Sequence, residues 1–280
     1  MLTGWLEMLR RGFLHRDVSI GNTLMLDPSV TMKPFEVRTI EQLMTQLSLE
    51  QGGGLNKYVE QLEGAIKKVG HSGECHGFII DGDMAARLEG YFTSRDMGEA
   101  SVSIRLLVLE SNYLMTPMQG TYEFMSDALR RSLWTTRSYL HSPVDDLISF
   151  CFTAQWAAAF NDGAGGGRYN GIEIQEFREM ITGDRRADAV SLARDILRHP
   201  SMRTEYGPFF ARSLDILNPW WIRLTALVGD WSFELGQTGA LEGKDKEERL
   251  RLNFLIFGYR GVGEYFELVH EHRASLQTAV

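Results

Sequence analysis

Only two cysteines, Cys75 and Cys151, occur in 280 residues. That is too few for a disulfide framework, so a packed core must hold the chain and a reducing, intracellular compartment is expected. Long apolar runs are missing as well. The two most apolar stretches, 148–160 and 219–228, are interrupted by Gln155 and Arg223, and neither reaches the ~20 residues a membrane-spanning helix needs. Glu7, Arg10 and Arg11 break up the N-terminus, so no secretion signal is read and no membrane partner is expected. Nor is there a basic block. The 29 Lys and Arg residues are scattered among 37 Asp and Glu, for a formal charge of −8, which argues against nucleic acid, because neutralising phosphates takes a concentrated basic face. No Pro, Ser or Gly repeat divides the chain, so one folded unit over 1–280 is expected.

What is present suits a sizeable core: 44% hydrophobic and 24% charged residues. Leu2, Trp5, Leu6 and Leu9 fall at helical spacing, with Gly12 placed to end that helix. "FLHRDVSIGNTLML" (13–26) reads as strand, polar loop, strand. Two amphipathic helical segments follow, "TIEQLMTQLSLE" (39–50) and "LNKYVEQLEGAIKKV" (55–69), split by the glycines at 52–54. The apolar run Phe78 to Ile80 reads as a buried strand that delivers polar groups at its end. "SIRLLVLES" (103–111) fits a strand or a short helix. Ser142 as N-cap, Pro143 at the first helical position and Asp145 at N3 open a helix that is apolar on most sides and therefore central. Further helices are predicted over 173–182, 185–198, 209–217 and 246–271, so that 161–280 forms a helical C-terminal part. The fold class is α+β, mainly α-helical.

The chemistry concentrates in "HRDVSIGN": His15, Arg16 and Asp17, then four residues, then Asn22. Phosphoryl transfer needs a carboxylate to orient the acceptor hydroxyl and take its proton, with an amide oxygen close by to hold a metal ion. The pattern resembles the catalytic loop of a protein kinase. The resemblance makes Asp17 the base and Asn22 a metal ligand, has Arg16 brace the activation segment and packs His15 in the core. Three later stretches match in order. "GFIIDGDMA" supplies Asp81 as a second metal ligand after a strand, "GTYEFMSDAL" resembles the end of an activation segment with Thr121 beside the acceptor, and "HSPVDDLISF" places Asp146 to accept backbone N–H groups of the catalytic loop. With Trp156 following, the wording is most similar to the fungal-type protein kinase family. The resemblance covers residues 1 to about 160 and implies a protein kinase-like C-terminal lobe, with short strands around the catalytic loop, that transfers phosphate from ATP with Mg2+ to Ser or Thr of a protein substrate.

The departures from the pattern are specific. Ser19 stands where serine/threonine kinases carry a lysine, and a hydroxyl cannot supply that positive charge. Gly82 and Asp83 replace Phe-Gly after the metal-binding Asp, the latter either a further ligand or a water-facing acid, and Ser126, Asp127 and Ala128 replace Ala-Pro-Glu. Only fourteen residues precede His15, so the N-terminal lobe with its glycine-rich loop and lysine is expected to be absent, the ATP site incomplete and the isolated chain inactive. Asn22 and Asp81 lie 59 positions apart, which makes 27–74 a helical insertion, read as a cap on the lobe in preference to a docking element. A pseudokinase-like module that binds a partner protein is the competing reading. A small-molecule phosphotransferase fits less well, since Arg16 and Thr121 argue against it.

Other features take structural readings. "NDGAGGGRYNG" (161–171) follows a helix and lacks a Lys-Ser/Thr ending, so it reads as a flexible surface loop. His71, Cys75 and His76 lack a fourth nearby ligand for zinc. Trp220 and Trp221 read as core, and "EGKDKEERLR" as a solvated helix start.

Overall fold

A computed structural model describes residues 1–33, 35–37, 53–70, 73–89, 91–92, 120–133, 139–165, 172–183 and 185–274. The segment 39–50, the stretch 103–111, His71 and the side chain of Thr121 lie outside the described residues.

Helix α1 (Leu2–Arg10) buries Trp5, Leu6 and Leu9 on one face. Gly12 follows at φ 84°, the left-handed conformation that ends helices and that a side chain disfavours. The chain then makes β1 (Phe13–Leu14), a 3₁₀ turn at Ile20–Asn22, and β2 (Thr23–Thr31). Helix α2 (Gly53–Val69) precedes β3 (Glu74–Ile79) and β4 (Ala86–Arg87). Both sheets are antiparallel pairs: β1 with β4, and β2 with β3, where Thr23 faces Ile79 and Thr31 faces Glu74 across an irregularity between Met25 and Val30. The stretch inserted between Asn22 and Asp81 therefore springs from the far end of a hairpin. Its described helix, α2, buries Leu55, Val59 and Leu62 and packs on the last helix.

The β2–β3 ribbon differs from the expected buried strand. Phe78 is 40% exposed together with Leu24, its partner across the pair, and Met25, on the opposite face, is exposed too, whereas Ile79 is partly buried against the core.

Beyond the ribbon come α3 (Gly120–Phe124), α4 (Asp127–Leu133) and α5 (Pro143–Phe160). α5 is buried on nearly all sides, as its apolar sequence requires. The Asp145 carboxylate accepts the Ser142 backbone N–H at 2.8 Å, so the N-terminus is closed by the residues its sequence nominates. A 3₁₀ turn at Asp162–Gly165 follows. Ala164 is buried there and its carbonyl accepts the Gly207 N–H at 2.9 Å, while Asn161 and Asp162 are exposed, so the turn lies at the surface, as expected, with Ala164 packed inward.

Next come α6 (Ile172–Thr182), α7 (Arg186–Arg198), α8 (Pro200–Arg203), α9 (Pro208–Thr238) and α10 (Gly243–Glu271). Residues 209–217 belong to the much longer α9, which runs through Pro219. Proline removes one N–H donor, but Leu217, Trp220, Leu224, Leu227 and Trp231 continue one buried stripe past it, and that burial carries the helix on. Trp220 is core as expected; Trp221 is partly buried against Phe152. α10 is the helix on which α1, α2, α5 and α9 converge. Close approach requires glycine there: a Cβ at Gly261 would meet Leu147 Cδ1 at 2.3 Å, and one at Gly258 would meet Leu9 Cδ2 at 2.4 Å. The described residues are mainly helical, and among them no helix is long and apolar enough to cross a membrane.

Candidate functional site

The candidate site lies between β1 and β2, where the polar loop 15–22 rests on the start of α5. His15 is 1% exposed, and its Nε2 lies 3.1 Å from the Ile80 carbonyl while its Nδ1 lies 3.3 Å from the Asp17 N–H. A carbonyl only accepts and a backbone N–H only donates, so the ring donates through Nε2 and accepts at Nδ1. The imidazole thereby pins the loop to the end of β3.

Arg16 adopts φ 70°, an uncommon conformation for a residue with a side chain. It is held there by its own N–H, which donates to both carboxylate oxygens of Asp146 at 3.2 and 3.3 Å. Asp146 is fully buried and also accepts the Trp5 indole N–H at 2.9 Å and a bond from His141 Nε2 at 2.9 Å. Burial alone would push this carboxyl up. The His141 bond and charge, then the Trp5 and Arg16 donors, outweigh burial and hold it below the usual carboxylate range. The Arg16 Nε is buried with no hydrogen-bond partner among the described residues.

Asp17 and Asn22 come together directly. The Asn22 Nδ2 donates to the Asp17 carboxylate at 2.9 Å and to the Asp17 carbonyl at 3.0 Å. Two acceptors fix the amide's orientation, with Nδ2 toward Asp17 and Oδ1 on the other side of the amide. The 3₁₀ turn sets this spacing, with the Asn22 N–H bonded to the Ser19 carbonyl at 3.1 Å. Ser19 itself is 4% exposed, so its side chain belongs to the packing of the loop more than to its open face.

Asp81 arrives from the neighbouring strand. The Ile80 N–H donates to the Asn22 carbonyl at 2.8 Å, which continues the β2–β3 ladder and brings Asp81 to within one residue of Asn22's partner. Asp81 has φ 60°, is exposed, and accepts the Asp83 N–H at 3.3 Å. Asp83 and Gly82 are exposed too. The Asn22 Oδ1 and the Asp81 carboxylate are hard oxygen donors of the kind Mg2+ prefers, so the residues fit that ion in type. Among the described residues no three His, Cys, Asp or Glu side chains gather as a metal cluster. Cys75 donates its Sγ–H to the Gly77 carbonyl.

Thr121 falls in α3, two residues before Glu123. The end of that segment is anchored by a carboxylate the sequence reading gave only a capping role. Asp145 accepts the Tyr139 hydroxyl at 2.7 Å, the Ser142 hydroxyl at 2.8 Å and a short bond from the Ser126 hydroxyl. Burial, then the charge of Asp145, pushes the Tyr139 phenol well above its usual range. Ser126 thus ties the stretch after Thr121 to α5. Trp5, His141, Tyr139 and Arg186 were not singled out by sequence reasoning. The His five residues before Asp146 was a usable signal, whereas nothing local links Trp5 to a residue 141 positions away.

Compared with protein-family models, curated proteins and solved structures, the chain matches none of them.

Proposed function

We propose that the loop 15–22 with Asp81 is the catalytic and metal-holding side of a protein kinase-like site of the fungal-type family, whose reaction moves phosphate from ATP to a serine or threonine of a protein, with negligible transfer expected of these 280 residues by themselves. One observation carries the reading: the amide of Asn22 is held on the Asp17 carboxylate at 2.9 Å, in a loop whose backbone is fixed from below by Asp146. Phosphoryl transfer relies on positioning and charge stabilisation more than on covalent participation by the protein. Asp17 would orient the acceptor hydroxyl and take its proton. Asn22 and Asp81 would hold Mg2+, which supplies charge neutralisation on the phosphates. Arg16 would brace the segment around Thr121, and Ser19 would keep the turn closed.

A second reading, a pseudokinase-like protein-binding module, is favoured by the burial of Ser19, which withholds even a hydroxyl from the place of the kinase lysine. Melting temperature with and without magnesium and ATP separates the two. A ligand that binds only the folded chain stabilises it by RT ln(1 + [L]/Kd), about 1 kcal/mol at several times Kd, or a rise of roughly 2–4 °C for a chain of this size. The kinase-like reading expects that rise with millimolar Mg2+ and ATP together and its loss with EDTA or in Asn22→Ala/Asp81→Ala. No rise would sink it and leave the binding module.

A further inference from the structure

The carboxylate of Asp146 can hold the loop 15–22 only if it is itself held. Each of its oxygens has one short side-chain donor: Trp5 Nε1 at 2.9 Å on Oδ2 and His141 Nε2 at 2.9 Å on Oδ1. The Arg16 N–H is longer to both, at 3.2 and 3.3 Å, and is shared between them. A carboxylate turns softly about its Cβ–Cγ bond, and a single donor would leave that turn open. Donors on both oxygens close it and keep the carboxylate aimed at Arg16. The Arg16 backbone depends on that aim, since φ 70° is a conformation that a residue with a side chain keeps only where its surroundings impose it. His141 is fixed in turn. It is buried, its carbonyl accepts the Tyr91 hydroxyl at 3.2 Å, and Tyr91 packs edge-on against Phe254 of α10. An ionised carboxylate only accepts, so the His141 ring donates through Nε2. Its Nδ1 is buried and has no hydrogen-bond partner among the described residues, which leaves Asp146 as the group that orients the ring.

We infer that His141 is a positioning residue for the loop 15–22: by holding Oδ1 of Asp146 it keeps the Arg16 N–H seated, and so sets where Asp17 and Asn22 stand. It acts through Asp146. Tyr91, the residue that braces its carbonyl, lies ten positions past Asp81, so His141 joins the loop that carries Asn22 to the stretch that follows Asp81. Calling the positioned loop catalytic rests on the kinase-like reading, whereas the clamp on Asp146 does not. A role in packing alone has a different signature. If the imidazole only filled space, its loss would be felt when the whole fold opens, and the loop would keep its own local stability.

Amide hydrogen exchange of the whole chain without nucleotide, followed on overlapping peptides from the loop and from the interior of α10, tests the inference. Loop amides exchange through local opening, whereas the buried interior of a core helix exchanges when the fold as a whole opens. His141→Leu should speed exchange at Arg16 and Asp17 by about tenfold or more. His141→Gln, whose amide N–H reaches about as far as the imidazole Nε2, should stay within about threefold of the parent. His141→Asn, whose shorter amide falls short of Asp146, should behave like His141→Leu and takes its place should that variant not fold. Faster exchange in α10 with Arg16 and Asp17 unchanged would reduce His141 to a packing residue and overturn the inference. So would a His141→Gln variant whose loop exchanges as fast as that of His141→Leu or His141→Asn. Because nucleotide is omitted, a fast-exchanging loop in these variants of a chain that shows no magnesium–ATP effect leaves the inference standing and sinks the kinase-like reading. A magnesium–ATP effect in the parent with loop exchange unchanged in the variants does the reverse.

Discussion

Two pairs of aspartates divide this molecule. Asp145 and Asp146 open α5 at 3% and 0% exposure and accept bonds from side chains and backbone across the fold: Trp5, Arg16, Ser126, Tyr139, His141 and Ser142. Asp17 and Asp81 stand on a loop and at a strand end, where Asp17 holds the Asn22 amide and the exposed Asp81 takes a neighbour's N–H. A carboxylate surrounded by fixed donors organises structure, because its lone pairs are committed and water is excluded. The exposed Asp81 carboxylate faces solvent, where a metal ion can reach it, whereas Asp17 is half-buried, with one oxygen on the Asn22 amide and the other enclosed by the loop. The same side chain is assigned to scaffold or to chemistry by what surrounds it.

The contrast breaks most visibly at Asp146. Asp146→Ala leaves Trp5 Nε1, the Arg16 N–H and His141 without an acceptor in the interior, and removing one partner of a buried charged network costs about 3–5 kcal/mol. Urea denaturation should record that loss, and a loss under about 1 kcal/mol would show that the network does not anchor the loop. The pH dependence follows from the same carboxylate. Its folded pKa lies below the ordinary value, so its contribution is fully present above the ordinary carboxylate range, about pH 4, and is lost as pH falls through the folded value. Asp146→Asn should flatten the acid limb of the stability curve there, and an unchanged acid limb would contradict the assignment.

Trp5→Phe is the next step down. It keeps most of the buried ring and removes one donor to Asp146, for an expected loss of about 1–2 kcal/mol. Asp81→Asn should be the smallest, within about 0.5 kcal/mol of the parent in urea, because Asp81 is exposed and its one bond is local. A large destabilisation there would move Asp81 to the scaffold side of the comparison.

The sequence carried the elements whose signals are local. The spacing of Leu2, Trp5, Leu6 and Leu9 with Gly12, the Ser142–Pro143–Asp145 helix start and the strand–loop–strand around Asp17 all correspond to the structure. Asp146 was legible as an acceptor for the loop backbone only through the resemblance to a kinase lobe, and the structure does place the Arg16 N–H on it. Elements decided by tertiary context were not. The helix expected over 209–217 stopped short of Pro219, yet a buried stripe runs through that proline. Phe78 looked like core, yet it is 40% exposed. Arg186 carried no signal, because its burial over the Phe152 ring depends on how α7 packs against α5.

Melting temperature with magnesium and ATP, measured on the parent chain and on Asn22→Ala/Asp81→Ala, tests the central claim most directly. The account predicts a rise of roughly 2–4 °C for the parent at millimolar ligand, none when magnesium is chelated, and none for the double variant measured against its own ligand-free melting temperature, which the loss of the Asn22–Asp17 bonds lowers. No rise in the parent, or an equal rise in the double variant, would contradict the assignment of Asn22 and Asp81 as the metal-holding pair.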